Sequence, residues 1–285
     1  MPHNSPMQGL LVSTEELARH LGDAGWVVFD TRHDLMNPDK GRALYAEGHI
    51  PGAYFLHVDE DLSGPKTGKN GRHPLPDVQD FAKRINARGV TPQTQVVVYD
   101  DVGGNFAVRL WWMLRWLGHD RVALLDGGFP LWQKEGRPVS KDVPPQRTGS
   151  FVPRPHLGWT VDLPFVERFR EDASVKLLDA RAAERFKGMT EPIDPVAGHI
   201  PGSINRFWQK NLNPDGRFKA PDQLRAEFEA LLGPDAARTV HLCGSGVTAC
   251  HNAFAMELAG LPPGRLYPGS WSEWCSDRTR PVATS

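Results

Sequence analysis

The chain has 285 residues, enough for two domains of ordinary size that each bury their own apolar core. Its 33 basic and 34 acidic residues leave a net charge of -1, which argues against nucleic acid or an anionic membrane surface as partner. Three cysteines suit no disulfide framework, and neither a signal-like nor a membrane-spanning run is found, so we expect a cytoplasmic protein.

The first half of the chain alternates between predicted helices and strands. Ser13, with Glu16 three residues later, forms a capping-box pattern that opens a helix, and a buried strand follows from Trp26 to Phe29. The pattern then predicts a helix near 81–87, a strand at 96–99, a helix at 106–117 and a strand at 122–125. Such alternation is typical of an α/β protein with a parallel sheet covered by helices on both faces.

The second half repeats the order of the first. Asp179-Ala180-Arg181 corresponds to Asp30-Thr31-Arg32 at an offset of 149 (179 − 30), and a Gly-His-Ile-Pro-Gly segment occurs at 48–52 and again at 198–202. The second pair has an offset of 150 (198 − 48), so two independent markers agree on the register. The chain is therefore predicted to contain a duplicated α/β domain.

The repeat sets the predicted domain boundaries. An N-terminal domain at 1–140 and a C-terminal domain at 159–285 are joined by a proline-rich linker at 141–158. Because His49 and His199 recur at the same turn in both halves, we interpret them as structural residues.

One stretch of the second half, residues 239–259, carries the chemistry. A short β-prone run ends at Cys243, and a glycine-flanked loop then leads into an apolar helix. A cysteine at such a junction lies among backbone N–H groups and near the positive end of the helix dipole, and both favour the thiolate. We predict that Cys243 is a nucleophile. The first half has Asp100, followed by Asp101, at this position, so the N-terminal domain is predicted to be catalytically inactive.

Other interpretations of the cysteines remain open at this point. Cys243 can be a buried structural cysteine, and Cys250, seven residues later, can form a disulfide with it or simply pack within a helix. A zinc site that includes His241 and His251 is disfavoured, because adjacent helical residues point about 100° apart. No metal site is predicted.

These features together resemble the rhodanese (sulfurtransferase) family. The paired Asp-x-Arg and Gly-His-Ile-Pro-Gly elements are shared with it, and Cys243-Gly244-Ser245-Gly246-Val247-Thr248-Ala249 resembles the active loop of its 3-mercaptopyruvate branch. The resemblance implies two tandem rhodanese-like domains, each a parallel sheet with helices on both faces, of which the second is catalytic.

The resemblance also implies a double displacement that needs no metal or organic cofactor. Cys243 would take a sulfur atom from 3-mercaptopyruvate or thiosulfate and pass it, as a persulfide, to cyanide or a thiol. The implied partners are therefore a small sulfur donor and a small acceptor, with a thioredoxin-like protein as a candidate reductant.

The family's substrate residues carry over onto this chain position by position. Arg185 matches the arginine that grips the donor carboxylate, a task suited to its planar fork. The branch has a second arginine in a Glu-Pro-Arg element, whereas this chain has Ile193 there, which keeps thiosulfate open as the donor. The loop residues implied in substrate binding are Gly244, Gly246, Val247 and Thr248.

A proton relay is implied as well. Ser245 matches a serine that polarises the donor or relays a proton, and Asp59 and His73 match a pair that would complete a Ser-His-Asp relay. An exposed loop position without function is the alternative for His73.

Two other functions compete with sulfur transfer. A cysteine-dependent phosphatase needs an arginine that closes the loop around phosphate, and this chain has Ala249 there, which argues against it. A sulfur carrier or binding module that delivers sulfur to a partner protein without turnover is the alternative that the sequence leaves open.

Overall fold

The structure is a computed structural model that describes residues 9–284. Its contacts divide the chain into two compact units. The N-terminal unit runs to Leu62 and resumes over Asp77–Pro155, and the C-terminal unit comprises Ser63–Pro76 together with the chain from His156. The segment Ser63–Pro76, predicted within the first domain, thus belongs with the C-terminal unit, while the predicted boundaries at 140 and 159 stay a prediction.

The N-terminal unit is built on a five-stranded parallel sheet with the strand order β1-β5-β4-β2-β3. Its strands are β1 (Leu11–Val12), β2 (Trp26–Asp30), β3 (Tyr54–Phe55), β4 (Gln95–Tyr99) and β5 (Val122–Leu125). Its helices are α1 (Thr14–Arg19), α2 (Lys40–Glu47), α3 (Val78–Asn86), α4 (Ala107–Trp116) and α5 (Gly128–Lys134).

The C-terminal unit is built on a four-stranded parallel sheet with the order β7-β6-β8-β9. Its strands are β6 (Lys176–Asp179), β7 (Ser203–Asn205), β8 (Thr239–Leu242) and β9 (Arg265–Leu266). Its helices are α6 (Leu163–Phe169), α7 (Ala183–Phe186), α8 (Pro221–Leu232), α9 (Ala249–Leu258) and α10 (Ser270–Trp274), with 3-10 turns at Trp208–Asn211 and Gly233–Arg238. Across residues 9–284, no helix has the length and apolar character that crossing a bilayer requires.

Local signals in the sequence explain how these elements begin and pack. The Ser13 hydroxyl accepts the N–H of Glu16 at 3.1 Å, so the predicted cap of α1 is confirmed. Every residue of β4 is buried, and Val97 and Tyr99 on one face share a core with Trp132 of α5. A strand with both faces buried reads as a continuous apolar run, as β4 does. The predicted α/β class, with helices flanking a parallel sheet in each domain, is confirmed.

The Asp-x-Arg element makes the same contacts in both units. Arg32 forms two-pronged hydrogen bonds with Asp30 and donates from Nη2 to the Gly48 carbonyl at 2.7 Å. Arg181 does the same with Asp179 and with the carbonyl of Gly198, at 2.8 Å. Each pair ties the end of an inner strand to the Gly-His-Ile-Pro-Gly turn, which explains why both motifs recur together.

The position of Cys243 follows from the topology of the C-terminal sheet. Strand β7 lies on one side of β6, and β8 then lies on the other side, so the strand order reverses between β6 and β8. In open parallel sheets, ligands bind at the carboxyl ends of the strands where this reversal occurs. Cys243 follows the last residue of β8 and therefore lies at that crevice.

Candidate active site

The loop after β8 surrounds the sulfur of Cys243 with backbone N–H groups. The side chain is only 3% exposed, and Sγ accepts the N–H of Ser245 at 3.4 Å and the N–H of Gly246 at 3.2 Å. The loop therefore presents hydrogen-bond donors to whatever acceptor atom lies at this position. Within the C-terminal unit as the structure describes it, further loop N–H groups make no hydrogen bond, and these belong to Gly244, Val247, Thr248 and Ala249.

The loop turns tightly because Gly246 adopts a conformation that other residues avoid. Its φ is +77°, and a β-carbon there would lie 2.4 Å from the carbonyl oxygen of Pro268. Glycine alone meets both conditions without strain. The close approach of the Pro268 carbonyl to Gly246 thus fixes the curvature of the loop, which brings its N–H groups around Sγ of Cys243.

The equivalent loop of the N-terminal unit is filled by its own side chain. The carboxylate of Asp100 is fully buried, and burial raises its pKa while four backbone N–H groups act in the opposite direction. These donors are Val102 (2.9 Å), Gly104 (2.8 Å), Phe106 (2.7 Å) and Ala107 (3.0 Å). The loop N–H groups of the N-terminal unit are therefore occupied by the side chain of Asp100.

Two guanidinium groups lie over the start of the Cys243 loop. A β-carbon placed at Gly244 would be 2.7 Å from Nη2 of Arg72 and 3.7 Å from both terminal nitrogens of Arg185. Asp194 pairs with both arginines, and Glu191 accepts from Nη2 of Arg185 at 2.6 Å. Burial lowers the pKa of Arg72, an effect that the nearby Cys243 sulfur partly opposes.

The two arginines keep hydrogen-bond donors available. In the described part of the C-terminal unit, Nη2 of Arg72 and Nη1 of Arg185 make no hydrogen bond, although the other ends of both groups are held by carboxylates. Guanidinium groups in this state can receive an anion without first losing a partner. The site thus presents two fixed cations beside the sulfur.

Arg72 is the residue that sequence reasoning missed. Ile193 indeed supplies no charge at its position, but the second cation reaches the loop from Ser63–Pro76 instead. The sequence signal available was the basic run Lys-Asn-Gly-Arg at 69–72, directly before a histidine already considered for the site.

Ser245 and His73 lie in hydrogen-bonding contact, whereas Asp59 is found in the other unit. Nδ1 of His73 lies 2.7 Å from Oγ of Ser245, and the imidazole is buried rather than exposed. Asp59 lies 3.6 Å from Nε2 of His33 and donates its backbone N–H to Nδ1 of His57. A relay through Asp59 stays a prediction.

One group of side chains has the spacing of metal ligands but lacks free ring nitrogens. Within residues 9–284, His33, His57 and Asp59 bring ligand atoms within 4.8 Å of one another. Nδ1 of His57 accepts the backbone N–H of Asp59 at 3.1 Å, and Nε2 donates to the Pro38 carbonyl at 3.0 Å. Both nitrogens of this ring are committed to the backbone, so we interpret the group as a hydrogen-bonded cluster.

The remaining cysteines and histidines near the loop have packing contacts. Cys250 is fully buried in α9, with its sulfur 3.5 Å from the carbonyl oxygen of Gly246, and all three cysteines are free. His241 donates from Nε2 to Pro263, and Nδ1 of His251 contacts the Asn211 amide at 3.1 Å. These contacts agree with the packed-helix interpretation of Cys250.

The buried histidines make stability sensitive to acid. Burial lowers the pKa of both His119 and His241 from 6.5 to about 4, so the folded chain keeps them neutral while the unfolded chain protonates them. As pH falls below 6.5, we expect the free energy of unfolding to drop by roughly 1.4 kcal/mol per pH unit for each histidine. Above pH 6.5 both histidines are neutral in the folded and in the unfolded chain, so this loss of stability is absent.

Urea unfolding at several pH values measures this slope. His241→Gln removes one titrating group but keeps a donor for Pro263. Below pH 6.5, the slope of its free energy of unfolding against pH should therefore be smaller by the equivalent of about one proton. The control His156→Gln, at an exposed position, should leave the slope unchanged. A wild-type slope in His241→Gln would contradict the expectation.

The tandem fold, with its cysteine loop in the second unit, defines a class of protein. The profile of the Rhodanese-like domain matches residues 13–135 and again 165–277. The chain belongs to the rhodanese family, with two copies of its domain, and the resemblance predicted from the sequence is confirmed.

Alignments with sulfurtransferases from other organisms extend over most of the chain. It is 47% identical over 277 residues to a probable 3-mercaptopyruvate sulfurtransferase of Pseudomonas aeruginosa, which covers 96% of this chain and 98% of that protein. It is 37% identical over 262 residues to the thiosulfate sulfurtransferase of Bos taurus, covering 88% and 83% respectively. The crystal structure of the 3-mercaptopyruvate sulfotransferase SseA of Escherichia coli superposes with a TM-score of 0.81 at 30% identity, covering 93% of this chain and 99% of that one.

Proposed function

We propose that the protein is a sulfurtransferase that moves sulfur from 3-mercaptopyruvate or thiosulfate, through a persulfide on Cys243, to cyanide or a thiol. The observation that carries this proposal is that only two of the loop N–H groups near Cys243 donate to its sulfur, while others make no hydrogen bond. In the N-terminal unit, the N–H groups of the fourth and sixth residues after Asp100 bind its carboxylate. The corresponding N–H groups of Val247 and Ala249 are open, which leaves donors for one further anionic atom on sulfur.

The chemistry balances without an external oxidant or reductant. The Cys243 thiolate attacks the transferable sulfur of the donor and forms an S–S bond, while the bond from that sulfur to the rest of the donor breaks. Thiosulfate then leaves as sulfite, and mercaptopyruvate leaves as pyruvate after the proton of its thiol reaches carbon. The acceptor takes the outer sulfur from the persulfide and the thiolate returns.

The contact between Ser245 and His73 supports a role in the proton transfer. A hydroxyl and an imidazole at 2.7 Å can pass a proton, which only the mercaptopyruvate reaction requires. The loop residues Gly244, Val247 and Thr248 are proposed to hold the transferred sulfur by their open N–H groups, while the N–H of Gly246 holds the Cys243 sulfur to which it is bonded.

Arg185 and Arg72 are proposed to bind the anionic end of the donor. Their open nitrogens converge above Gly244, next to the sulfur that must attack. Because both groups are held by Asp194, their positions are fixed before the donor arrives. A pre-positioned pair of cations lowers the entropy cost of orienting the donor for in-line attack.

Replacing Arg185 by glutamine tests this donor site. A hydrogen bond to a charged group contributes about 1.5–3 kcal/mol, so we expect the donor KM to rise roughly 10- to 150-fold, with little change in the cyanide KM. Arg217→Gln removes the same charge from an exposed ion pair with Asp215 and should leave both constants near wild type. Equal increases for donor and acceptor would remove Arg185 from the donor site.

Steady-state transfer to cyanide, measured with 3-mercaptopyruvate and thiosulfate side by side, tests the function. Turnover with either donor, with intact mass showing one added sulfur on the loaded protein, is the expected result. Loading without turnover on small acceptors would instead favour a sulfur carrier, and neither loading nor turnover would overturn the proposal. The donor with the higher kcat/KM identifies the preferred substrate.

We also propose that the protein works in the cytoplasm and that thiols, including a thioredoxin-like protein, serve as acceptors. Three free cysteines, with no disulfide among the described residues, suit a reducing compartment. A thiol acceptor is available there, and transfer of the outer sulfur to it yields a persulfide that a second thiol releases as sulfide.

A further inference from the structure

We propose that Ser270 is a positioning residue for Cys243; the inference rests on the proposed nucleophilic role of that cysteine. Among residues 9–284, Ser270 is the single non-glycine residue with positive φ, at +53°, and it is fully buried. Residues other than glycine adopt this left-handed conformation at an energetic cost, and they keep it where the surrounding structure demands it.

The hydroxyl of Ser270 holds the backbone of Cys243. Its Oγ accepts the N–H of Cys243 at 3.1 Å and donates to the Tyr267 carbonyl at 2.9 Å. The next residue, Trp271, donates its N–H to the Cys243 carbonyl at 3.0 Å. The peptide groups on both sides of the nucleophile are thus fixed by the first two residues of α10.

The N-terminal unit shows the same backbone without the hydroxyl. Gly128 has φ +57°, and the N–H after it, from Phe129, bonds the Asp100 carbonyl at 2.9 Å, as Trp271 bonds Cys243. A β-carbon at Gly128 would lie 2.5 Å from the Asp100 carbonyl oxygen, so glycine suits this position. The unit that carries the nucleophile has a strained serine there instead, which indicates that the hydroxyl compensates for the strain.

Holding the Cys243 amide directs its sulfur. The orientation of the peptide plane before a residue sets the direction of its Cα–Cβ bond, and here that bond points Sγ at the N–H groups of Ser245 and Gly246. A buried N–H without a partner is costly, so loss of Oγ would favour rotation of this amide toward another acceptor. Ser270 therefore acts on the reaction through Cys243, without contacting the donor.

A second serine of the same turn holds a different part of the site. Oγ of Ser272 accepts the backbone N–H of Arg72 at 3.0 Å, while its own N–H donates to the Gly244 carbonyl at 2.9 Å. The two hydroxyls should consequently have different kinetic signatures. Ser270 should affect the chemical step, and Ser272 should affect binding of the donor.

Four variants test this assignment: Ser270→Gly and Ser270→Ala, with Ser276→Gly and Ser276→Ala as exposed controls. Both Ser270 variants lose the hydroxyl, so we expect kcat to fall about tenfold in each, with donor KM within about twofold of wild type. Only alanine keeps the strain, so Ser270→Ala should melt about 2–4 °C below Ser270→Gly. Ser272→Ala should raise the donor KM and spare kcat.

A merely structural role predicts a different pattern. The assignment is overturned if the loss of kcat follows the melting temperature, with Ser270→Gly near wild type, or if donor KM alone changes. The alkylation rate of Cys243 by iodoacetamide gives a readout that needs no sulfur transfer, and it should fall several-fold, equally in both Ser270 variants. If wild type transfers no sulfur, the proposed function fails, and unchanged alkylation in the Ser270 variants would separately refute the positioning role.

Discussion

Cys243→Ser is expected to abolish sulfur transfer from both donors, with a loss of at least about 10⁴-fold in kcat. A serine oxygen cannot form the S–S bond of a persulfide, and the N–H groups of the loop cannot substitute for that bond. The side chain is 3% exposed and differs from serine by one atom, so the fold should be retained. Transfer to cyanide, together with intact mass after addition of donor, measures the effect.

Cys275→Ser is the matched control, since Cys275 is a free cysteine that is buried to the same extent as Cys243, although it follows helix α10 rather than a strand. This variant should keep both turnover and the gain of one sulfur atom. Turnover near wild type in Cys243→Ser would assign the chemistry to another group. Loss of activity in both variants, with normal melting, would show that more than one thiol takes part.

Asp100→Ala should cause the largest loss of stability in the N-terminal unit. The substitution leaves four backbone N–H groups without their acceptor, from Val102, Gly104, Phe106 and Ala107, and the last two of these residues are buried. Each unsatisfied buried donor costs on the order of 1–3 kcal/mol, and water entering the cavity recovers part of this. With two buried donors affected, we expect a destabilisation of about 2–3 kcal/mol, measured by urea unfolding.

Asp101→Ala provides the control, because this carboxylate is the sequence neighbour of Asp100 and is half-buried; burial, and then the charge of Asp100, raise its pKa. Its removal should change stability by about 1 kcal/mol or less. Hydrogen exchange should accelerate at residues 102–107 in Asp100→Ala and not in Asp101→Ala. Wild-type stability in Asp100→Ala would show that the N-terminal loop does not depend on an internal anion.

The contrast between Asp100 and Cys243 explains how one duplicated loop serves two purposes. Both residues follow an inner strand of a parallel sheet, and both accept N–H groups from the loop that leads into the next helix. A carboxylate has two acceptor atoms and uses all four donors, whereas a single sulfur uses two. We propose that the unused donors in the C-terminal unit stabilise the transferred sulfur.

The local pattern of the sequence was enough to predict the class of fold and the nucleophile. Alternating apolar runs and helix starts specify β-α units, and two motif pairs at constant offset specify a duplication, because both features are read within short stretches. Cys243 and its glycine-flanked loop form one continuous segment, so a nucleophilic role could be proposed for Cys243 without any tertiary information.

Contacts between distant segments could not be predicted in the same way. His73 meets Ser245 across 172 positions, and Arg72 meets Asp194 across 122. The path of Ser63–Pro76 into the C-terminal unit depends on packing that no local periodicity encodes, so the second cation was sought at Ile193 and found elsewhere.

The sequence by itself therefore determined the repeated α/β architecture, the strand end at which Cys243, the proposed nucleophile, lies, and the matching loop that has Asp100 in its place. Only the tertiary structure decided which side chains surround that nucleophile: Arg72 beside Arg185, His73 on Ser245, and the strained Ser270 under Cys243. The physical reason is that hydrogen bonding within an element depends on near neighbours in the chain, whereas the charges and acceptors around a site arrive from several elements and are fixed by their packing.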